Sequence, residues 1–210
     1  MSNRNLSIIL LILGSLGISF GGLIMRNINI ANPWQIAFYR GLAFLFSITL
    51  ILLFQYRSEI LTKIKNTGFP GIIGGFLLML ANLLFIQALA NTSIANTLFT
   101  LSSIPFITAI MAFIFLKEEL SLRTIFIMIA AFMGIFLMIK GGLESGGFYG
   151  NILAFFCAIT FSGFVIVLRK FRNFNMLPAN MVSGILILLV TFVISHGNIK
   201  IPTQEIFLCF

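Results

Sequence analysis

Seven apolar runs, each about as long as a lipid bilayer is thick, follow one another along this chain: residues 6–25, 33–54, 69–90, 94–116, 122–139, 149–168 and 178–195. A helix rises 1.5 Å per residue, so about 20 apolar residues cross a hydrocarbon core of about 30 Å. Inside that core every backbone N–H and C=O must find a partner within the protein, which leaves helices or a closed barrel. Barrel strands alternate apolar with polar residues, whereas these runs are continuous. The expected fold class is therefore all-α, a polytopic transmembrane helical bundle. Composition agrees: with 60% hydrophobic residues, 9% charged residues and no Asp, 210 residues carry more apolar surface than a water-soluble domain can hide.

Two of the runs are near copies. Ile18-Ser19-Phe20-Gly21-Gly22-Leu23-Ile24-Met25 returns 141 positions later as Ile159-Thr160-Phe161-Ser162-Gly163-Phe164-Val165-Ile166. Pro33 opens the run after the first copy and Pro178 the run after the second, 145 positions apart. An odd number of spans separates the copies, so they cross the bilayer in opposite directions. That is the pattern of an inverted-repeat transporter, a five-helix unit doubled and flipped. Residues 1–140 make the first unit with five spans and 141–210 a partial second unit with two. The last residues, Ile206 to Phe210, read as the first turn of an eighth helix, so the chain is expected to be the front part of a ten-helix parent.

A net charge of +8 would point to nucleic acid in a soluble protein, but here the cations flank apolar spans and serve orientation instead. On one side lie Arg4, Arg57, Lys63, Lys65, Lys117, Arg123, Arg169, Lys170 and Arg172, and on the other only Arg26, Lys140 and Lys200. This bias places the N-terminus in the cytoplasm and the protein in the cytoplasmic membrane. Cys157 lies within a span and Cys209 at the end, so no disulfide framework is implied.

The middle of the chain carries a further pattern. Span 2 begins Pro33-Trp34-Gln35-Ile36-Ala37-Phe38-Tyr39-Arg40, and spans 3 to 5 read Gln87-Ala88-Leu89-Ala90-Asn91-Thr92-Ser93-Ile94-Ala95, then Pro105, then Leu116-Lys117-Glu118-Glu119, then Gly134. This resembles the EamA branch of the drug/metabolite transporter superfamily over almost the whole chain. The resemblance implies a carrier of small metabolites, often amino acids, working by alternating access. It also marks a glutamate at Glu118.

Polar groups at membrane depth are the candidates for function, because each needs a partner or a water-filled cavity. Arg40 is the one charge well inside a span, seven residues past Pro33 and so about 10 Å along the helix. Its guanidinium either faces a central cavity and holds a substrate carboxylate or phosphate, or snorkels to the interface. Asn96, Thr100 and Ser103 form one polar stripe on span 4, and Asn82 and Gln87 are amides of span 3. All five are candidates for the pathway, set against bonding back to their own helix or joining helices together. Ser19 and Thr160 match within the repeat, as do Gly22 and Gly163, which places the first pair as substrate contacts and the second as structural. Pro105 is expected to kink span 4 and Glu118 to pair with a basic helix end.

No cofactor or metal is expected, since one His, no Asp and no Cys/His cluster leave nothing to hold one. The same lack argues against an enzyme. No carboxylate lies within a span, so uniport or exchange is expected over proton coupling. The expected partners are the lipid bilayer and a small-molecule substrate, with no nucleic acid. A second copy in a homodimer, or a complementing fragment, would supply the missing helices. A non-transporting remnant is the alternative reading.

Overall fold

The computed structural model describes residues 32–56, 60–143, 147–172 and 176–199, together with Ile8 and Ile12; for 60–67 and 135–143 it describes the backbone alone. Seven helices follow in order: α1 Pro33–Tyr56, α2 Ile60–Asn91, α3 Ile94–Leu101, α4 Ile104–Leu116, α5 Leu122–Leu143, α6 Phe148–Lys170 and α7 Leu177–Ile194. No strand occurs among the described residues. Five stretches are long and apolar enough to cross a membrane: Pro33–Tyr56, Gly68–Asn91, Ile94–Leu116, Phe148–Lys170 and Leu177–Ile194, with a shorter apolar helix over Leu122–Gly134. Each falls within a few residues of a predicted run. The first predicted span, and with it Ser19 and Gly22, lies outside the described residues, as does the expected start of an eighth helix.

One described span is interrupted, and α2 is kinked where its span begins. Pro105 does not kink a continuous helix as expected; the span breaks into α3 and α4, with Ser102 and Ser103 between them in the last-turn conformation. Proline lacks the N–H that would bond the carbonyl four residues back, and near a helix start that loss costs little. Pro105 stands in the first turn of α4, where the break makes it harmless. In α2 the interruption is at Gly68, whose φ of 57° and ψ of −156° suit a residue with no Cβ. It separates the Lys-bearing segment 60–67 from the apolar part of α2.

The bundle is organised around α2, which packs along α6, α7 and α1. Ile36 and Ala37 of α1, Met79, Leu83 and Ile86 of α2 and Ile187 of α7 form one buried cluster. Small residues set the spacing. A Cβ on Gly75 would lie 2.8 Å from the Ala179 carbonyl oxygen, and one on Gly41 would lie 2.6 Å from Ile187 Cγ2. Gly75 therefore brings α2 against the backbone of α7, and Gly41 leaves the space on α1 that the Ile187 side chain fills. The α1–α7 contact joins positions 146 residues apart, one residue from the 145 that separates Pro33 from Pro178.

Helices α1 and α7 run antiparallel. At one end the Gln35 amide donates to the Asn198 carbonyl at 2.9 Å and the Tyr39 hydroxyl to the Ile199 carbonyl at 3.0 Å, so the start of α1 sits beside the chain leaving α7. The outer surface is apolar: Phe54, Phe126 and Val193 are each at least 70% exposed, and Phe46, Ile114 and Ile127 more than 60%. Such a surface is untenable in water and natural in lipid. The chain is an integral membrane protein.

Candidate functional site

A cavity of about 110 Å³ opens between α1, α2 and α7, about 10 Å along α1 from its start. Arg40 and Asn82 line it, with Ala37, Phe44, Phe85 and Ile187 among the apolar walls. The cavity exists because Gly41 and Ala37 leave α1 without bulk on this face while Phe44 and Phe85 hold the helices apart. Liquid water occupies about 30 Å³ per molecule, so the space holds a few waters and keeps a guanidinium at depth solvated. The Asn82 amide donates to the Leu78 carbonyl at 2.9 Å, one turn back in its own helix. That bond uses one of its two N–H groups and neither lone pair of its oxygen.

The other predicted residues stand elsewhere. Gln87 does not line this cavity; its Nε2 is buried without a hydrogen-bond partner. Of the stripe on α3 and the residues just after it, Thr100 and Ser103 are buried. Their hydroxyls bond back along the chain, Thr100 to the Asn96 carbonyl at 2.8 Å and Ser103 to the Thr100 carbonyl at 2.6 Å. Asn96 reaches the Thr92 hydroxyl at 3.4 Å. Thr160 donates to the Phe156 and Cys157 carbonyls, both at 3.0 Å, so it too is occupied by its own helix. Gly163 packs against Leu77 of α2 and Met111 of α4.

At the opposite end of the bundle Glu118 pairs with Arg169, whose Nη2 lies 2.8 and 2.9 Å from the two carboxylate oxygens. The pairing needs the chain to turn sharply after α4. Lys117 takes the left-handed conformation there, with φ of 56°, and brings Glu118 toward the end of α6. Both side chains are nearly half exposed, so the pair contributes at most about 1 kcal/mol.

Asn151, Ser162 and Ser183 are among the buried polar residues that escaped the sequence reading. Asn151 is buried in the first turn of α6, accepts a bond from the Thr92 hydroxyl at 3.0 Å and leaves its Nδ2 without a partner. Ser162 donates to the Ile104 carbonyl at 3.2 Å, which fastens α6 to the α3–α4 break. Ser183, fully buried in α7, has an unpartnered hydroxyl. A legible signal existed for two of them: Gly147, Gly150, Asn151, Ala154, Ala158 and Ser162 form a stripe of small and polar residues at helical spacing. A Cβ on Gly150 would lie 2.6 to 2.7 Å from the Asn91–Thr92 peptide, which shows how closely that stripe meets the end of α2.

Among known proteins, the family model described as the EamA-like transporter family matches residues 5–140, about two thirds of the chain. No curated protein and no solved structure matches it significantly.

Proposed function

Because the chain belongs to the EamA-like transporter family and is thus a membrane transporter of the drug/metabolite type, we propose that it moves small carboxylate-bearing metabolites such as amino acids across the cytoplasmic membrane by alternating access. The family is one of transporters, not enzymes. The observation that carries the substrate class is the shared cavity of Arg40 and Asn82. A guanidinium presents paired N–H donors that match a carboxylate, and in a low-dielectric site such charge-assisted bonds are strong and selective for the anion. The Asn82 amide, neutral and able both to donate and to accept, fits the remainder of a zwitterion.

Alternating access needs an element about which two halves can rock. The antiparallel crossing of α1 and α7 at Gly41 and Ile187 supplies one, since a glycine facing a single side chain lets the two helices pass closely and turn against each other with little to unpack. Its two members meet at nearly matching positions of the sequence repeat, which favours two inverted units related by an axis through this crossing. The N-terminus lies in the cytoplasm on the bias of Lys and Arg in the sequence. The described carboxylates, Glu118 and Glu119, lie beyond the end of α4, so uniport or exchange is the favoured mode.

The test is counterflow of labelled amino acids into liposomes holding the purified chain. Saturable flux, strongly reduced in Arg40→Gln and unaccompanied by proton movement, is the expected result. Equal flux in Arg40→Gln would remove the substrate assignment. Flux that appears only when a second chain carrying further spans is co-reconstituted would make this polypeptide a subunit.

A further inference from the structure

The structure assigns a second binding site, distinct from the transport cavity: a groove between the ends of α4 and α6 that takes the headgroup of an anionic phospholipid. The open groove measures about 630 Å³, and its lining combines the cations Arg169, Lys170 and Arg172 with the apolar Leu116, Val165 and Leu168. Glu118 also lines it and is bound to Arg169. Three cations against one carboxylate leave an excess of two positive charges, enough to hold a phosphodiester monoanion and still remain cationic.

Cations at this end already serve two general purposes, since they orient the protein and complement the C-terminal dipole of α6. Neither purpose requires a concave site with an apolar wall. Here Leu116, Val165 and Leu168 supply that apolar part, and the last turn of α4 that ends at the groove is itself apolar, with Phe113, Ile114 and Phe115 55 to 61% exposed. A ligand filling this groove meets cations at its head and an apolar strip below, and a phospholipid has that polarity along its length. A free phosphate would use the cations and leave the strip uncovered.

Glu118 acts as an internal competitor in this arrangement. Its carboxylate occupies Arg169 as a phosphate oxygen would, so an arriving headgroup draws Arg169 away from the α4 end. Lipid binding and the α4–α6 clasp are therefore opposed. Membranes rich in anionic lipid loosen this end of the bundle.

The experiment is lipid retention by the full chain in nanodiscs of phosphatidylcholine doped with phosphatidylglycerol, read by native mass spectrometry after release. Each cation near an anionic lipid surface strengthens binding about fivefold, so Lys170→Gln with Arg172→Gln weakens phosphatidylglycerol retention about thirtyfold. Glu118→Gln has the opposite sign and strengthens it severalfold. Both changes fall on exposed side chains, and an unaltered far-ultraviolet circular dichroism melt shows that the bundle is intact. Equal retention by the double variant, or equal retention of phosphatidylcholine, would overturn the assignment. Displacement of the lipid by millimolar glycerophosphate would also overturn it, by showing a site for free anions.

Discussion

The α1–α2–α7 seam and the α3–α6 seam are built from similar material, small residues and a few polar side chains on otherwise apolar helices, yet they use their polar groups in opposite ways. On α3 and its continuation, Thr97, Thr100 and Ser103 are all buried and all donate to carbonyls of their own chain three or four residues back. Across the first seam Arg40 and Asn82 come from different helices and meet at a cavity. A hydroxyl that closes on its own helix is content in hydrocarbon and offers little to a ligand. The cavity leaves Arg40 and Asn82 facing a space that water or an anion can enter.

The largest effect expected to separate the seams is that of Arg40→Gln. Truncating a charge that pairs with a desolvated ligand costs about 2–5 kcal/mol, so kcat/KM for the proposed carboxylate substrate falls by about thirtyfold or more. Arg40→Lys keeps the charge but not the paired donors, and recovers only part of it. Gly75→Val comes next and acts on stability. Its branched side chain meets the Ala179 carbonyl and Val182, and overpacking of about 1–3 kcal/mol lowers the apparent melting temperature in detergent without changing the substrate preference of the protein that remains folded.

Asn82→Leu is third. It keeps the volume, removes one neutral hydrogen-bonding group from the cavity and reduces kcat/KM about tenfold, a loss of roughly 1.4 kcal/mol that falls within the range for a single polar contact. Smallest is Thr100→Val, which removes a back-bond worth about 0.6 kcal/mol on average in membranes and leaves transport within twofold of wild type. A large transport defect in Thr100→Val beside a mild one in Arg40→Gln would invert the comparison and move the substrate path to the α3–α6 seam.

Much of the fold was legible because lipid removes alternatives. Six of the seven apolar runs recur as helical segments among the described residues, five of them long and apolar enough to cross a membrane, since a backbone in hydrocarbon pairs its polar groups within each helix. The break at Pro105 was half legible. Proline announced the disturbance, but whether a helix bends or stops depends on its neighbours, and only the structure shows α6 fastened beside the break by the bond from Ser162 to the Ile104 carbonyl. Glu118 was expected to meet a basic helix end, and which end became visible only when the turn at Lys117 set it against Arg169. Asn151 was overlooked because an amide one turn inside a span reads as interfacial, whereas packing against Thr92 buries it.

Sequence alone determined that this chain lives in a membrane and roughly where its apolar helical segments lie, because those properties depend on runs of neighbouring residues and on backbone pairing within a helix. Only the tertiary structure decided that Arg40 shares its cavity with Asn82 while Gln87 and the α3 hydroxyls do not. On helices apolar nearly all round, no polar face fixes how each turns about its axis. That rotation is set by close contacts such as Gly41 on Ile187 and Gly75 on Ala179, made between residues more than a hundred positions apart.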